Sequence, residues 1–283
     1  MSTQRDDRSR LLESMMNCAA RGGAIVWDHF NGHLIVERKA DESPVTAADR
    51  AAEAVILVGL AAAAPGIPVV AEEETAAGRV PKVAARFFLV DPLDGTKEFI
   101  QRGTDFTVNI GLIEDGAPTL GVVYAPARSE MYWGDVASKQ ASRATLVPHG
   151  SLSGTQAICV RRPATPLCAV ASKSHNTPET EAWLAAARVG NRVSIGSSLK
   201  FVLIASGQAD VYPRPAPTME WDTAAGDAVL RAAGGRVFDL DGGLLEYGKP
   251  RFFNPGFIAT GLYEPGPLRP FMNTASPGTG IAR

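Results

Sequence analysis

Two aspartates, Asp91 and Asp94, stand three positions apart in the stretch Asp-Pro-Leu-Asp-Gly-Thr. The apolar run before them is typical of a buried strand, so both carboxylates are expected near its C-terminal end. Gly95 permits unusual backbone angles and Pro92 lacks a backbone donor, so the chain can bend with the Leu93 carbonyl facing the side of the acids. These oxygens form a ligand set that suits Mg²⁺, although an isolated motif of this kind is as often a solvent-facing turn.

Two further acidic stretches could supply ligands to the same site. Glu72 begins a run of three glutamates that follows a predicted strand, and taken alone such a run is more often a solvated surface. Asp222 precedes a segment whose apolar residues recur at helical spacing, which predicts a helix with Asp222 as its N-cap. Taken alone, each stretch has a simple structural explanation, so a metal site requires that all three acidic stretches lie together in the folded protein.

The elements that must position these acids can be predicted from apolar periodicity. Helical spacing indicates a helix over residues 11–30 and a second from Thr46 to Pro65, where Thr46 and Asp49 form a capping-box pattern. Strands are predicted at residues 68–71, 87–90, 106–113, 119–124, 130–133, 169–171, 204–205 and 235–238. Polar residues 138–155 indicate a loop, and the tail 263–283 should contain little regular structure.

Composition narrows the class of protein. The 283 residues are 45% hydrophobic and 20% charged, which is typical of a globular protein and not of a disordered or membrane-spanning one. A net charge of -2 gives no general attraction to nucleic acid or anionic lipid, so an anionic substrate must be bound by local cations or metal.

The cysteines and the N-terminal residues indicate in which cellular compartment the protein is expected. Cys18, Cys159 and Cys168 follow no metal-binding or disulfide pattern, and the first residues lack the apolar segment of a secretion signal. The alanine-rich stretch 51–64 contains Glu53 and is too short and polar to span a bilayer. We expect a cytoplasmic protein, with peripheral attachment to the inner membrane as an alternative that no basic amphipathic helix supports.

Three motifs in this order resemble the lithium-sensitive, magnesium-dependent phosphatases that include the inositol monophosphatases: the acidic pair at Glu72, the stretch 91–96, and Trp-Asp-x-Ala-Ala-Gly at 221–226. Segments 39–49, 94–99, 172–175, 196–201 and 209–222 are similar to the CysQ-type 3′(2′),5′-bisphosphate nucleotidases of that family. The resemblance implies an α+β fold, a layered αβαβα sandwich of two lobes with the active site between them. We assign residues 1–150 to a lobe with most metal ligands, 151–262 to a lobe with nucleotide contacts, and 263–283 to an irregular tail.

The resemblance also implies a metal site and a catalytic set. The ligands of two Mg²⁺ ions would be Glu72, Asp91, the Leu93 carbonyl, Asp94 and Asp222, and a weaker third ion would be reached from Asp49 and Glu72 through water. Glu72 and the Thr96 hydroxyl would orient the attacking water, with Asp49 as the proton acceptor. The N–H groups of Gly95 and Thr96 would hold phosphate oxygens at a helix N-terminus.

The implied substrate contacts lie in the second lobe. Ser197, Lys200 and Arg214 would hold the 5′-phosphate and ribose, Asp222 would also face the substrate, and His175 would lie near the adenine. Lys173 stands where many relatives have Arg, which leaves its contact open. Without the resemblance, these residues would be read as surface cations, a helix cap and a buried hydrogen-bonding histidine.

The expected function is removal of the 3′-phosphate of adenosine 3′,5′-bisphosphate (PAP), giving AMP and phosphate by direct attack of water, with the sulfated analogue PAPS as a second candidate substrate. One alternative is an inositol or sugar monophosphatase, which would share the metal site. Another is a nucleotide sensor without turnover, which would have little need of a water-activating set. The protein is expected to act on a small molecule as a monomer or homodimer.

Overall fold

The computed structural model describes residues 2–32, 36–38, 44–172 and 177–272. The first elements are a long helix, a small antiparallel hairpin and a second helix: α1 (Ser2–Asn31), β1 (Val36–Arg38), β2 (Pro44–Thr46) and α2 (Ala47–Ala63). Helix α1 begins earlier than predicted. Its first turns are polar, and Arg8 bonds Glu114 (2.8 Å) and Asp135 (2.7 Å) of the adjacent sheet, a contact that apolar periodicity does not reveal.

The predicted start of α2 is confirmed. The Thr46 hydroxyl accepts a hydrogen bond from the Ala48 N–H (3.1 Å), while Asp49 Oδ2 accepts one from the Thr46 N–H (2.7 Å). These two bonds form a capping box and satisfy donors that would otherwise be unpaired at a helix N-terminus. The box also fixes the Asp49 side chain, which is buried.

A seven-stranded sheet follows, with its strands in sequence order across the sheet. Its strands are β3 (Val69–Ala71), β4 (Arg86–Asp94), β5 (Thr107–Glu114), β6 (Ala117–Ala125), β7 (Glu130–Asp135), β8 (Gln140–Thr145) and β9 (Ser153–Ile158). Strands β3 and β4 are parallel and all other neighbours are antiparallel, so the predicted meander is confirmed. Two short helices, α3 (Glu72–Ala76) and α4 (Thr96–Ile100), begin where β3 and β4 end.

The prediction of a loop over residues 138–155 is wrong, because β8 and β9 extend the sheet there. Both strands are polar, and β9 is exposed along almost its whole length at the sheet edge. A strand with little buried surface lacks the apolar alternation that marks a strand in sequence.

The rest of the chain builds a second, five-stranded sheet and three helices. In chain order its elements are β10 (Leu167–Ser172), α5 (Pro178–Ala186), β11 (Val189–Ile195), α6 (Leu199–Ala205), β12 (Val211–Arg214), β13 (Thr218–Met219), α7 (Ala224–Ala232), β14 (Arg236–Phe238), β15 (Phe253–Asn254) and β16 (Phe257–Thr260). The sheet order is β11-β10-β12-β16-β14, and β13 pairs with β15 separately. Residues 204–205, predicted as a strand, end α6 instead, because a short buried apolar run fits either element.

The elements stack in the expected αβαβα layers. Helices α1 and α2 pack on the outer face of the seven-stranded sheet, α6 and α7 lie between the two sheets, and α5 covers the far face of the second sheet. A large apolar cluster fills the space between the sheets, and another lies under α1 and α2. The layered fold class is therefore confirmed, whereas the division into lobes at residue 150 stays a prediction.

Helix α7 lies unusually close to the seven-stranded sheet. Three glycines face it from neighbouring strands, Gly111 on β5, Gly121 on β6 and Gly134 on β7. A Cβ at Gly121 would lie 2.3 Å from the Ala225 carbonyl oxygen, which is closer than carbon and oxygen can approach. The missing side chains thus make room for the helix backbone.

The described part of the tail contains one 3-10 turn, Arg269–Phe271, and residues 273–283 lie outside the described residues. Among the helices that the structure describes, none is both long and apolar enough to cross a bilayer.

Candidate active site

The Asp91–Asp94 corner lies at the end of β4, as predicted. Asp91 pairs with Asn109 of β5, and the register then shifts before Asp94 pairs with Thr107. This irregularity breaks the strict alternation of a strand, in which residues at odd spacing face opposite sides. Both carboxylates can therefore face one cavity.

Gly95 ends the strand and begins α4. Its φ of 94° lies in the left-handed region, which glycine adopts at little cost, and a Cβ there would lie 2.7 Å from the Asp105 carbonyl oxygen. The next residue, Thr96, donates from its hydroxyl to the Leu93 carbonyl (3.1 Å) and lies 3.4 Å from Asp49 Oδ1. The expected meeting of Thr96 and Asp49 is thus present.

Glu72 reaches this corner through the parallel pairing of β3 with β4. Ala71 pairs with Val90, so Glu72 leaves its strand beside Asp91. The backbone behind Glu72 is held by Glu53, whose carboxylate accepts hydrogen bonds from the N–H groups of Glu73 and Glu74, each at 2.8 Å. Sequence reasoning missed Glu53, although an acid inside an otherwise apolar helix was a usable signal.

Asp222 joins the same cavity, but its predicted role as a helix cap is wrong. The N-cap of α7 is Thr223, and no side-chain bond caps that helix. The Asp222 carboxylate instead accepts hydrogen bonds from the Met219 N–H (2.9 Å) and from the Thr218 hydroxyl. These donors turn it toward the cavity and away from the start of the helix.

One cavity of about 240 Å³ collects most of the predicted site residues. Its lining includes Glu72, Asp91, Leu93, Asp94, Gly95, Thr96, Ser197, Lys200, Arg214 and Asp222. Asp49 lies behind Thr96, and His175 and Lys173 fall outside the described residues.

Two cations, Lys200 and Arg214, line the same cavity as the acids. Lys200, 5% exposed, donates to the Ser197 carbonyl (2.6 Å) and lies over the Tyr212 ring at 5.5 Å. Arg214 lies 3.4 Å from the Tyr212 hydroxyl and donates to backbone carbonyls. Among the described residues, no carboxylate forms an ion pair with either charge, which suits an anionic ligand.

Burial and mutual repulsion act on the acids. Burial, followed by the charges of Glu72, Asp94 and Asp222, raises the pKa of Asp91 well above its ordinary value. Burial also raises the pKa of Asp94, against the opposing effects of Lys200 and Ser198. The pKa of Asp222 rises to about 6, first through burial and then through the charge of Asp94.

The residues present fit divalent metal ions. Their oxygen-only donor set is the one that Mg²⁺ prefers, and a cation would relieve the repulsion that raises these pKa values. In the described residues, no three acidic, histidine or cysteine side chains already converge around one point. Asp94 accepts a hydrogen bond from Ser198 and Asp222 accepts one from Thr218. The acids share a cavity and are not drawn into a closed cage.

A buried polar group behind Asp94 was also missed. The Ser198 hydroxyl lies 2.9 Å from Asp94 Oδ2 and 2.8 Å from the Asp222 carbonyl oxygen, and Asn109 donates to it at 2.9 Å. These contacts join residues 89 and 104 positions apart, so no local pattern signals them.

Comparison with known proteins agrees with this geometry. Residues 7–264 match the inositol monophosphatase family. The sequence is 46% identical over 254 residues to the 3′(2′),5′-bisphosphate nucleotidase CysQ of Salmonella typhimurium, covering 88% of this chain and 99% of that protein. It is 45% identical over 251 residues to CysQ of Escherichia coli strain K12, covering 87% and 98% respectively.

Solved structures show the same architecture. CysQ from Bacteroides thetaiotaomicron superposes with a TM-score of 0.75 at 35% identity, covering 89% of this chain and 97% of that one. The inositol monophosphatase from Anabaena superposes with a TM-score of 0.69 at 25% identity, covering 92% of each chain.

Proposed function

This chain belongs to the inositol monophosphatase family, and we propose that it is a 3′(2′),5′-bisphosphate nucleotidase that hydrolyses the 3′-phosphate of PAP to AMP and phosphate. The observation that carries the proposal is a single cavity lined both by the proposed metal ligands Glu72, Asp91, Asp94 and Asp222 and by the cations Lys200 and Arg214. A substrate with two phosphates needs both sets of residues, the metal ligands for the reacting ester and the cations for the spectator phosphate. Close similarity to CysQ proteins along nearly their whole length supports the same choice.

Metal dependence is general in this family, and we propose two Mg²⁺ ions with a weaker third. The ligands would be Glu72, Asp91, the Leu93 carbonyl, Asp94 and Asp222, with Asp49 and Glu72 reaching the third ion through water. When bound, such ions neutralise phosphate oxygens, lower the pKa of a water molecule and stabilise the leaving alkoxide.

The chain's own residues would orient the reacting groups. Thr96 and Glu72 line the cavity beside the acids, where they can hold the attacking water. Asp49, whose Oδ1 lies 3.4 Å from the Thr96 hydroxyl, would accept the proton. The N–H groups of Gly95 and Thr96 at the start of α4 would hold phosphate oxygens.

The spectator 5′-phosphate and the ribose would lie against Ser197, Lys200 and Arg214, and Asp222 would also face the substrate. His175 would approach the adenine, although its position lies outside the described residues. PAPS carries the same 3′-phosphate and is a second proposed substrate.

A phosphate-release assay with PAP, PAPS and inositol 1-phosphate tests the proposal. We expect turnover of PAP that requires Mg²⁺, is inhibited by Li⁺ and exceeds turnover of the inositol ester. Preference for inositol 1-phosphate would favour the monophosphatase alternative. Nucleotide binding without phosphate release would favour a sensor.

A further inference from the structure

Ser198 lies between two proposed metal ligands that come from distant parts of the chain. Its hydroxyl oxygen is 2.9 Å from Asp94 Oδ2, at the end of β4, and 2.8 Å from the carbonyl oxygen of Asp222, just before α7. The residue is 1% exposed.

Helix capping does not explain this serine. Ser198 is the N-cap residue of α6, yet its side chain makes no capping hydrogen bond. A serine at this position ordinarily uses its oxygen to accept an N–H of the first turn. Here the oxygen is directed to the acidic end of the cavity.

Asn109 sets the direction in which Ser198 donates. The Asn109 side-chain amide donates to Ser198 Oγ at 2.9 Å and also lies 3.4 Å from Asp94 Oδ2. A hydroxyl has one proton and two lone pairs, so Ser198 accepts from Asn109 and shares its single proton between Asp94 Oδ2 and the Asp222 carbonyl oxygen. Asn109 is fully buried, which prevents water from replacing this donor.

We infer that Ser198, oriented by Asn109, is a positioning residue that holds the Asp94 carboxylate in register with the Asp222 backbone for metal binding. The inference rests on the proposed metal site. Hydrogen bonds to a ligating carboxylate restrict its rotation, and losing one such partner typically weakens metal affinity by about 10- to 100-fold. The hydroxyl therefore acts on metal affinity without contacting the substrate.

Mn²⁺ titration of the metal-free protein, followed by electron paramagnetic resonance, tests this role directly. Ser198→Ala should raise the Kd for Mn²⁺ by about tenfold or more. In a parallel assay with PAP, the Mg²⁺ concentration for half-maximal activity should rise by a similar factor, and kcat at saturating Mg²⁺ should fall less. A merely structural role would lower the melting temperature and leave the Kd of the folded fraction unchanged.

Ser206→Ala is the matched control. Ser206 follows the last residue of α6, and its hydroxyl bonds the Val202 carbonyl at 2.5 Å, away from the cavity. This variant should bind Mn²⁺ as the wild type does.

The outcomes separate this inference from the proposed function. Normal Mn²⁺ binding by wild type together with a Kd for Ser198→Ala within about twofold of it would overturn the role of Ser198 alone. If the alanine variant does not fold, Ser198→Cys, which keeps a single heavy atom at this position but donates weakly, decides the question by the same criterion. Absence of Mn²⁺ binding by wild type would overturn the metal site and this inference with it.

Discussion

Asp49 Oδ1 lies 3.4 Å from the Thr96 hydroxyl, while its other carboxylate oxygen, Oδ2, caps α2 through the Thr46 N–H at 2.7 Å. One carboxylate thus connects the start of α2 with the start of α4. The helix cap holds the carboxylate in place, and the oxygen that remains faces the proposed catalytic threonine. The Asp49 side chain therefore both stabilises the start of α2 and takes part in the proposed chemistry.

Removing the Thr96 hydroxyl should reduce catalysis without unfolding the protein. Thr96→Ala deletes the group proposed to orient water, so kcat should fall by about 10²- to 10⁴-fold while Mn²⁺ binding is largely kept. Steady-state kinetics with PAP and a metal titration measure both. Thr145→Ala, at an exposed position on β8, is the control. A kcat near wild type in Thr96→Ala would contradict the proposed role.

Replacing Asp94 should abolish turnover and preserve the fold. Asp94→Asn removes a proposed ligand, and losing several kcal/mol of transition-state stabilisation at about 1.4 kcal/mol per tenfold predicts a fall of about a thousandfold or more. Because burial disfavours the Asp94 charge, the metal-free variant should melt no earlier than metal-free wild type. Thermal melts should show Mg²⁺ stabilising wild type but not the variant. Near-wild-type rates would refute the metal assignment.

Glu53 should make the stability of the metal-free protein depend on pH. Burial raises its pKa from the ordinary 4.5 to about 7, against the bonds from Glu73 and Glu74. The folded protein then keeps a proton that the unfolded chain releases over this range. The free energy of unfolding should therefore fall by up to about 3 kcal/mol between pH 4.5 and 7.

Denaturant unfolding in EDTA across that range measures the effect. Glu53→Gln cannot titrate and should lose this part of the slope, whereas Glu13→Gln, at an exposed position of α1, should keep it. An unchanged slope in Glu53→Gln would show that other groups cause the dependence.

Arg214 should determine the preference for a second phosphate. Arg214→Gln removes a positive charge from the cavity lining, so KM for PAP should rise by about tenfold or more, as expected for loss of a charge-assisted hydrogen bond. The rate on inositol 1-phosphate, which has no second phosphate, should change little. Arg192→Gln, an exposed residue paired with Glu181, is the control. An equal loss on both esters would place Arg214 at the reacting phosphate instead.

Sequence patterns predicted the elements that bury an apolar face. Helix α2 with its capping box, the β4 corner and the meander of β5, β6 and β7 all carry local signals. The polar strands β8 and β9 and the short helix α6 do not, because a polar strand lacks apolar alternation and a brief apolar run suits either element.

The residues of the candidate site differ in the same way, since some carry a local sequence signal and others do not. Asp91 and Asp94 stand out in sequence because their spacing and the following glycine are local. The partners Ser198 and Asn109 are ordinary polar residues whose importance comes from contacts between distant parts of the chain. The Asp222 side chain was misassigned for a different reason, since two donors only three and four residues before it, Met219 and Thr218, bind its carboxylate in place of the helix start.

The three glycines under α7, Gly111, Gly121 and Gly134, affect more than the packing of that helix. Even a methyl group at Gly121 would collide with the helix backbone and push outward the element that follows Asp222. Natural variants at these positions should therefore be scarce, and those that occur should reduce enzyme activity although they alter no residue that touches substrate. In a survey of inherited substitutions, these glycine positions would resemble catalytic positions, because substitutions there are scarce and reduce activity. Only their location beneath α7 would show that they do not take part in catalysis.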